Sequence, residues 1–126
     1  MTATRDLIPA VWVANNLDIS PTDIESLVEV AQEKKIDLTV VGPEAPLAEG
    51  IADQFLIRGM EIFGATREAT QIESSKVFAK ELMQKYDIPC ARSVSFSKYT
   101  QAKEYVQQQT PPIVVKADGL AAGKGV

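Results

Sequence analysis

Between residues 20 and 64 the chain alternates amphipathic stretches with short β-rich runs, and this succession most narrowly limits how it can fold. A parallel strand pair cannot be joined by a tight hairpin and needs a crossover, usually a helix, so helix-strand-helix-strand order predicts a parallel α/β sheet. The stretch SPTDIESLVEVAQEKK opens the series. Ser20 is positioned to cap orphan amides, Pro21 suits a first helical residue, and Asp23 stands at the capping-box offset. Ile24, Leu27, Val28 and Ala31 then recur at the spacing of a single apolar stripe. The run IDLTVV reads as a buried strand that Gly42-Pro43 ends, because proline offers no amide and restricts its predecessor. Leu47, Ile51 and Phe55 predict one helix with Gly59 as its left-handed stop, and MEIFG predicts the next strand.

The remainder repeats the alternation less clearly. Residues 66–73 read as a short helix or turn, after which Ser74 or Ser75 caps a helix carrying Phe78, Ala79, Leu82 and Met83. That helix stops near Asp87-Ile88-Pro89, and a second domain is expected to begin about here, which divides the chain into residues 1–72 and 73–126. ARSVSF and IVVK read as strands, and KYTQAKEYVQQQ between them as a helix with Tyr99, Ala102 and Val106 turned inward. Ahead of all this, Leu7-Ile8 and Val11 to Val13 are short apolar groups, the second strand-like.

Composition excludes several kinds of chemistry. Thirteen basic and seventeen acidic side chains are interspersed, net charge −4, so no cationic face is available to displace the counterions of a nucleic acid. With one cysteine, Cys90, and no histidine, the chain forms no internal disulfide, Cys/His zinc site or histidine triad. Cys90, with neither a histidine nor an adjacent lysine to lower its pKa, is expected to be buried or half-buried, and Trp12, Tyr86, Tyr99 and Tyr105 to pack. Apolar runs fall far short of the roughly 20 residues needed to cross a bilayer, and the N-terminus lacks the order of a signal peptide. No membrane role and a cytoplasmic location are the expectation.

Chemistry must then rest on lysines, carboxylates and backbone amides. In KADGLAAGKGV, Gly119, Gly123 and Gly125 let amides approach an anion and Lys124 adds a mobile charge. The spacing is not that of a Walker A loop, since three residues separate Gly119 from Gly123-Lys124 and a glycine follows the lysine. Such a segment is either a glycine turn or a cover for phosphates. Lys116 ends a β-rich run, where its ammonium needs a carboxylate, a ligand or a route to water. Lys76 sits where a helix dipole disfavours a cation, which suits either a solvated lysine or one that shares the helix end with a phosphate. Glu44, between two prolines at the exit of a strand, either caps the next helix or belongs with the rest of Gly42 to Leu47 to the floor of a substrate pocket.

Several separated blocks, DLTVVGPEAPLAEGIAD, IFGATREATQIESSKVFAKELM, the Ile88-Pro89 turn and PPIVVKADGLAAGKGV, together resemble the phosphoribosylamine-glycine ligase family from about Asp18 onward. The resemblance implies a partial N-terminal parallel-sheet domain preceding the ATP-grasp domain, followed by the beginning of that domain, broken off within its glycine-rich loop. It further implies that glycine is joined to 5-phosphoribosylamine at the expense of ATP through a glycyl phosphate. Carried over by position, Lys76 and Lys116 look like the two lysines that reach the nucleotide. Gly119, Leu120, Ala121, Ala122, Gly123, Lys124 and Gly125 look like the loop over its phosphates, and Gly42, Pro43 and Glu44 border the phosphoribosylamine.

The resemblance also implies Mg²⁺ or Mn²⁺ on ligands outside this chain, a monomeric full-length enzyme, and little activity in the 126 residues alone. The family's opening strand and glycine-rich loop have no counterpart before Trp12, Ala65 stands where proline is frequent, and Ser74 where glycine is. A different ATP-grasp ligase or carboxylase, or a non-catalytic α/β module, is the alternative. GPEAPL followed by IFG and SSK argues against the first, and the second predicts no response to nucleotide at any length.

Overall fold

The computed structural model describes residues 15–121. In order they form α1 (Ile24–Glu33), β1 (Thr39–Val40), α2 (Glu44–Glu49), α3 (Ile51–Ile57), β2 (Ile62–Phe63), α4 (Arg67–Ser74), α5 (Lys76–Lys85) and α6 (Tyr99–Gln107). The apolar groups before Trp12, Trp12 itself and the strand expected at residues 11–13 lie outside the described residues.

The first helix begins later than a Ser20 cap requires. Asp23 N donates to the Ser20 carbonyl at 3.0 Å and closes a turn over Pro21 and Thr22. Asp23 is thereby the last non-helical residue, and its carboxylate accepts from Ser26 N at 3.2 Å. A turn residue and an N-cap draw on the same side chains, and here the local turn takes Ser20.

Three helices end alike. Lys35 (φ 51°), Gly59 (φ 68°) and Asp87 (φ 53°) each follow a helix in the left-handed region. In each case the next amide reaches back to the last turn: Ile36 N to Ala31 O at 2.9 Å, Met60 N to Phe55 O at 3.0 Å, Ile88 N to Met83 O at 2.8 Å. This pattern consumes helix carbonyls that would otherwise lack partners, and glycine meets it without Cβ crowding. Lys35 lacks that advantage. Lys35→Gly is therefore expected to raise stability by about 1 kcal/mol, read as a higher urea midpoint at unchanged slope; a lower midpoint refutes the argument.

The expected single helix through Leu47, Ile51 and Phe55 is two. Gly50, at φ 90°, ends α2 and starts α3, so the axis turns between them. Ile51 and Phe55 nevertheless stay buried with Val28 and Ala31, and Leu47, Val41 and Ile62 pack against that cluster. Strands β1 and β2 pair in parallel, Thr39 beside Ile62 and Val40 beside Phe63, with Thr39 N bonded to Glu61 O and Val41 N to Phe63 O. The unit is β1-α2-α3-β2, the parallel crossover that the alternation predicts. One expectation fails within it. The strand is buried on one face only, because α1 and α3 both cover the Val41 and Ile62 side, which leaves Val40 66% and Phe63 71% exposed among the described residues.

Beyond α5 the two expected strands ARSVSF and IVVK carry no ladder, since no other strand runs beside them among the described residues and strand geometry needs a partner. Here Val114 and Val115 are exposed. Packing is local: the Phe96 and Tyr105 rings lie 5.2 Å apart, holding α6 against residues 91–96. Three expectations of burial are corrected, because Tyr99 (78% exposed) and Tyr86 face solvent and Cys90 is exposed. Tyr99 is the first residue of α6, ahead of the turn whose Tyr105 and Val106 meet neighbours.

Candidate functional site: the end of α5 and the groove beside it

Ser75 alone separates α4 from α5, in an extended conformation that ends one helix and opens the next. Its hydroxyl accepts from Phe78 N at 3.1 Å, as a serine N-cap does. The same hydroxyl donates to the Asp118 carboxylate at 3.2 Å. Asp118 comes from forty-odd residues downstream yet supplies most of the cap: its Oδ1 accepts from Lys76 N at 2.7 Å and from Val77 N at 3.3 Å. The Lys76 ammonium closes the link in the other direction, donating to the Gly119 carbonyl at 2.6 Å. Gly119, at φ 92°, makes the turn that a side chain would strain.

The charge at this helix end is therefore balanced by the protein itself. A carboxylate at a helix N-terminus meets free amides and the positive end of the dipole. Desolvation pushes the Asp118 carboxyl upward, but donation from the Val77, Gly119 and Lys76 amides and the Ser75 hydroxyl outweighs it, and the group is held below its ordinary value. The mild conflict that Lys76 poses at a helix start is relieved by Asp118, whose carboxylate sits among the first α5 amides.

Beside this junction runs an open groove of ≈ 670 Å³ between α5, residues 91–96, α6 and residues 112–116. Lys76, Lys80, Arg92 and Lys116 line it against a single carboxylate, Asp118. Its walls include Val94, Phe96, Tyr105 and Val115, so an apolar face meets a cationic end. Lys80 braces the wall by donating to the Ala91 carbonyl at 2.9 Å. Lys116 is exposed and enters no ion pair among the described residues, so water is its route for the charge. The lining suits a ligand with both an apolar part and an anionic part.

Of the residues singled out in the sequence, Lys76 and Lys116 are brought onto one groove, and Gly119 touches Lys76. Leu120 and Ala121 continue from it, whereas Ala122, Gly123, Lys124 and Gly125 lie outside the described residues. Gly42, Pro43 and Glu44 stand apart, between β1 and the first residue of α2, and not on the groove. Pro43 precedes α2 in an extended conformation and Glu44 is its first residue, without a side-chain capping bond, so the capping role considered for Glu44 is absent. Alongside, the Arg67 amide donates to Asp53 Oδ2 at 2.7 Å and its guanidinium to Ala48 O at 3.0 Å, fixing α4 near the carboxyl ends of both strands. Among the described residues no three His, Cys, Asp or Glu side chains converge to hold a metal ion.

Asp118, Lys80 and Arg92 escaped the sequence reading. Only Asp118 carried a usable signal, an acidic residue two places after Lys116 and directly before a glycine.

Comparison with known proteins now decides the family. The description "Phosphoribosylglycinamide synthetase, N domain" matches residues 9–73, and "Phosphoribosylglycinamide synthetase, ATP-grasp (A) domain" matches residues 74–126. The chain belongs to the phosphoribosylglycinamide synthetase family. Among relatives of this synthetase family, the phosphoribosylamine-glycine ligase of Caldanaerobacter subterraneus subsp. tengcongensis is 49% identical over 114 residues, which is 90% of this chain and 27% of that protein. Those of Escherichia coli K12 and Vibrio cholerae are 50% and 51% identical over 111 residues, in each case 88% of this chain and 26% of the relative. The chain thus spans about a quarter of the length of the curated relatives it matches. The synthetase match divides just ahead of Ser75, the residue at which α4 gives way to α5. No helix among the described residues is long and apolar enough to cross a membrane.

Proposed function

We propose that the full-length protein carrying these residues ligates glycine to 5-phosphoribosylamine with ATP, giving N1-(5-phospho-ribosyl)glycinamide, ADP and phosphate in purine biosynthesis. It acts in the cytoplasm as a monomer, without nucleic acid or membrane partners. The observation that carries this reading is that Lys76 and Lys116 meet on one groove at the start of the ATP-grasp match. Residues 1–72 form part of the substrate-binding α/β domain and residues 73–126 the start of the nucleotide domain, in keeping with family matches that meet between 73 and 74.

A carboxylate acylates poorly, so the reaction needs an activated intermediate. A glycine carboxylate oxygen attacks the γ-phosphorus, the bond to the bridging oxygen breaks, and ADP departs. The phosphoribosylamine nitrogen then attacks the acyl carbon, phosphate leaves with its bonding electrons, and the nitrogen sheds a proton. Lysine ammonium groups favour the charge that gathers on the transferring phosphoryl oxygens. Lys76 and Lys116 serve there, and backbone amides from Gly119 through Leu120, Ala121, Ala122, Gly123 and Gly125 approach the phosphates with Lys124. Gly42, Pro43 and Glu44 border the phosphoribosylamine, on the strand-end edge where open α/β sheets take ligands. Mg²⁺ or Mn²⁺ supplies further charge neutralisation when bound, but the described residues offer it no ligand set. The 126 residues alone are inactive on this reading.

Phosphate release by the full-length protein is expected only when ATP, glycine and phosphoribosylamine are all present. Omitting phosphoribosylamine removes multiple turnover. Equal release with unrelated carboxylates in place of glycine rules the assignment out.

A further inference from the structure

We propose that Asp118 is a positioning residue for nucleotide binding, pinning the Lys116–Gly119 segment onto the start of α5 so that the Lys76 and Lys116 ammonium groups face the same groove. The inference rests on the nucleotide reading of that groove. Its basis is a reciprocal pair of contacts: the Asp118 carboxylate takes the Lys76 and Val77 amides and the Ser75 hydroxyl, and the Lys76 side chain takes the Gly119 carbonyl. Three donors from Ser75 to Val77 on the Asp118 carboxylate and a fourth, the Lys76 ammonium, on the Gly119 carbonyl thus lock two segments that are remote in sequence.

The arrangement has two consequences for a ligand. The free amides of α5 are already occupied, so an anion in the groove is held by side-chain cations and not by this helix end. Lys76, meanwhile, is parked on a neutral carbonyl, a partner that an anionic oxygen outcompetes because hydrogen bonds to ionised acceptors are the stronger. Removing Asp118 opposes two effects. Deleting a negative charge from the groove draws anions in, whereas releasing the segment scatters the two lysines. The contact geometry favours the second, since the carboxylate is spent on the α5 amides.

The test uses the full-length protein and its Asp118→Ala and Asp118→Asn variants, with steady-state kinetics and hydrogen-deuterium exchange of the peptide covering residues 74–80. Asp118→Ala is expected to raise the KM for ATP by roughly ten- to a hundredfold, leave the KM for glycine unchanged, and speed exchange at Lys76 and Val77. Asp118→Asn keeps the side-chain volume and an acceptor oxygen, so it folds if the alanine variant does not, and its KM for ATP is expected to fall between the other two. A residue serving only stability lowers kcat through the active fraction and moves neither KM. The proposal is overturned by an ATP KM that is unchanged or lower in both variants, or by unaltered exchange at Lys76 and Val77. If the wild-type protein shows no ATP requirement, the ligase reading fails instead, and the exchange arm still decides whether the lock exists.

Discussion

Replacing Lys116 by alanine in the full-length protein is expected to lower the rate of phosphate release by roughly a hundredfold or more, the scale on which one preorganised charge acts in a transition state. The structure separates Lys116 from its companion in a way that makes this the larger loss. The Lys76 ammonium is committed to the Gly119 carbonyl, while Lys116 lies exposed on the same groove with no ion pair among the described residues. An unpaired ammonium beside an apolar wall has no folding task to perform, so its removal is expected to change the free energy of unfolding, read from urea titration, by less than about 0.5 kcal/mol. On the proposed ligase reading its task is to meet the charge that moves onto the phosphoryl oxygens, and kcat is then expected to fall together with kcat/KM. Lys116→Arg retains the charge but replaces a compact point cation with a planar fork and recovers only part of the rate. Unchanged phosphate release by the alanine variant, measured at saturating ATP, glycine and phosphoribosylamine, excludes Lys116 from the reaction.

What could be read from the sequence, and what could not, follows the range of the interactions involved. The β1-α2-α3-β2 unit was legible because each segment carries its own periodicity, and the parallel pairing follows from the connection. Gly59 and Ser75 were legible as a stop and a cap because glycine's freedom and a serine hydroxyl act within a few residues. Gly50 was missed, since an apolar repeat at Leu47, Ile51 and Phe55 survives a change of helix axis when both pieces press on the same core. Asp118 was missed for the opposite reason. Its partners are Ser75, Lys76 and Val77, and no local pattern announces a cap delivered from that far along the chain. The strands ARSVSF and IVVK show the limit from a third side: β propensity marks segments fit for a sheet, but a ladder belongs to two segments together.

The core of the first unit gives the other large expected effect. Phe55→Ala in the 126-residue chain is expected to destabilise it by about 3–5 kcal/mol, the cost of lost apolar burial together with the cavity left behind. Phe55 is 2% exposed and is the largest side chain sealed from water among the described residues. It shares a cluster with Val28, Ala31 and Ile51, and Ile24, Leu27, Met60 and Ile62 close around it from α1, the α3 exit and β2. Alanine retains the backbone carbonyl that accepts the Met60 amide, so the helix end survives and the loss isolates the ring. With few buried side chains among the described residues, collapse of the surrounding elements into the void has little second layer to draw on. Native domains hold only about 5–15 kcal/mol in total, so the variant loses much of its helical ellipticity at room temperature. Tyr99→Ala is the matched control: it removes an aromatic ring that is 78% exposed, and its free energy of unfolding is expected to change by less than about 0.5 kcal/mol. If the two variants unfold at the same midpoint, the cluster around Phe55 is not what holds α1, α3 and β2 together.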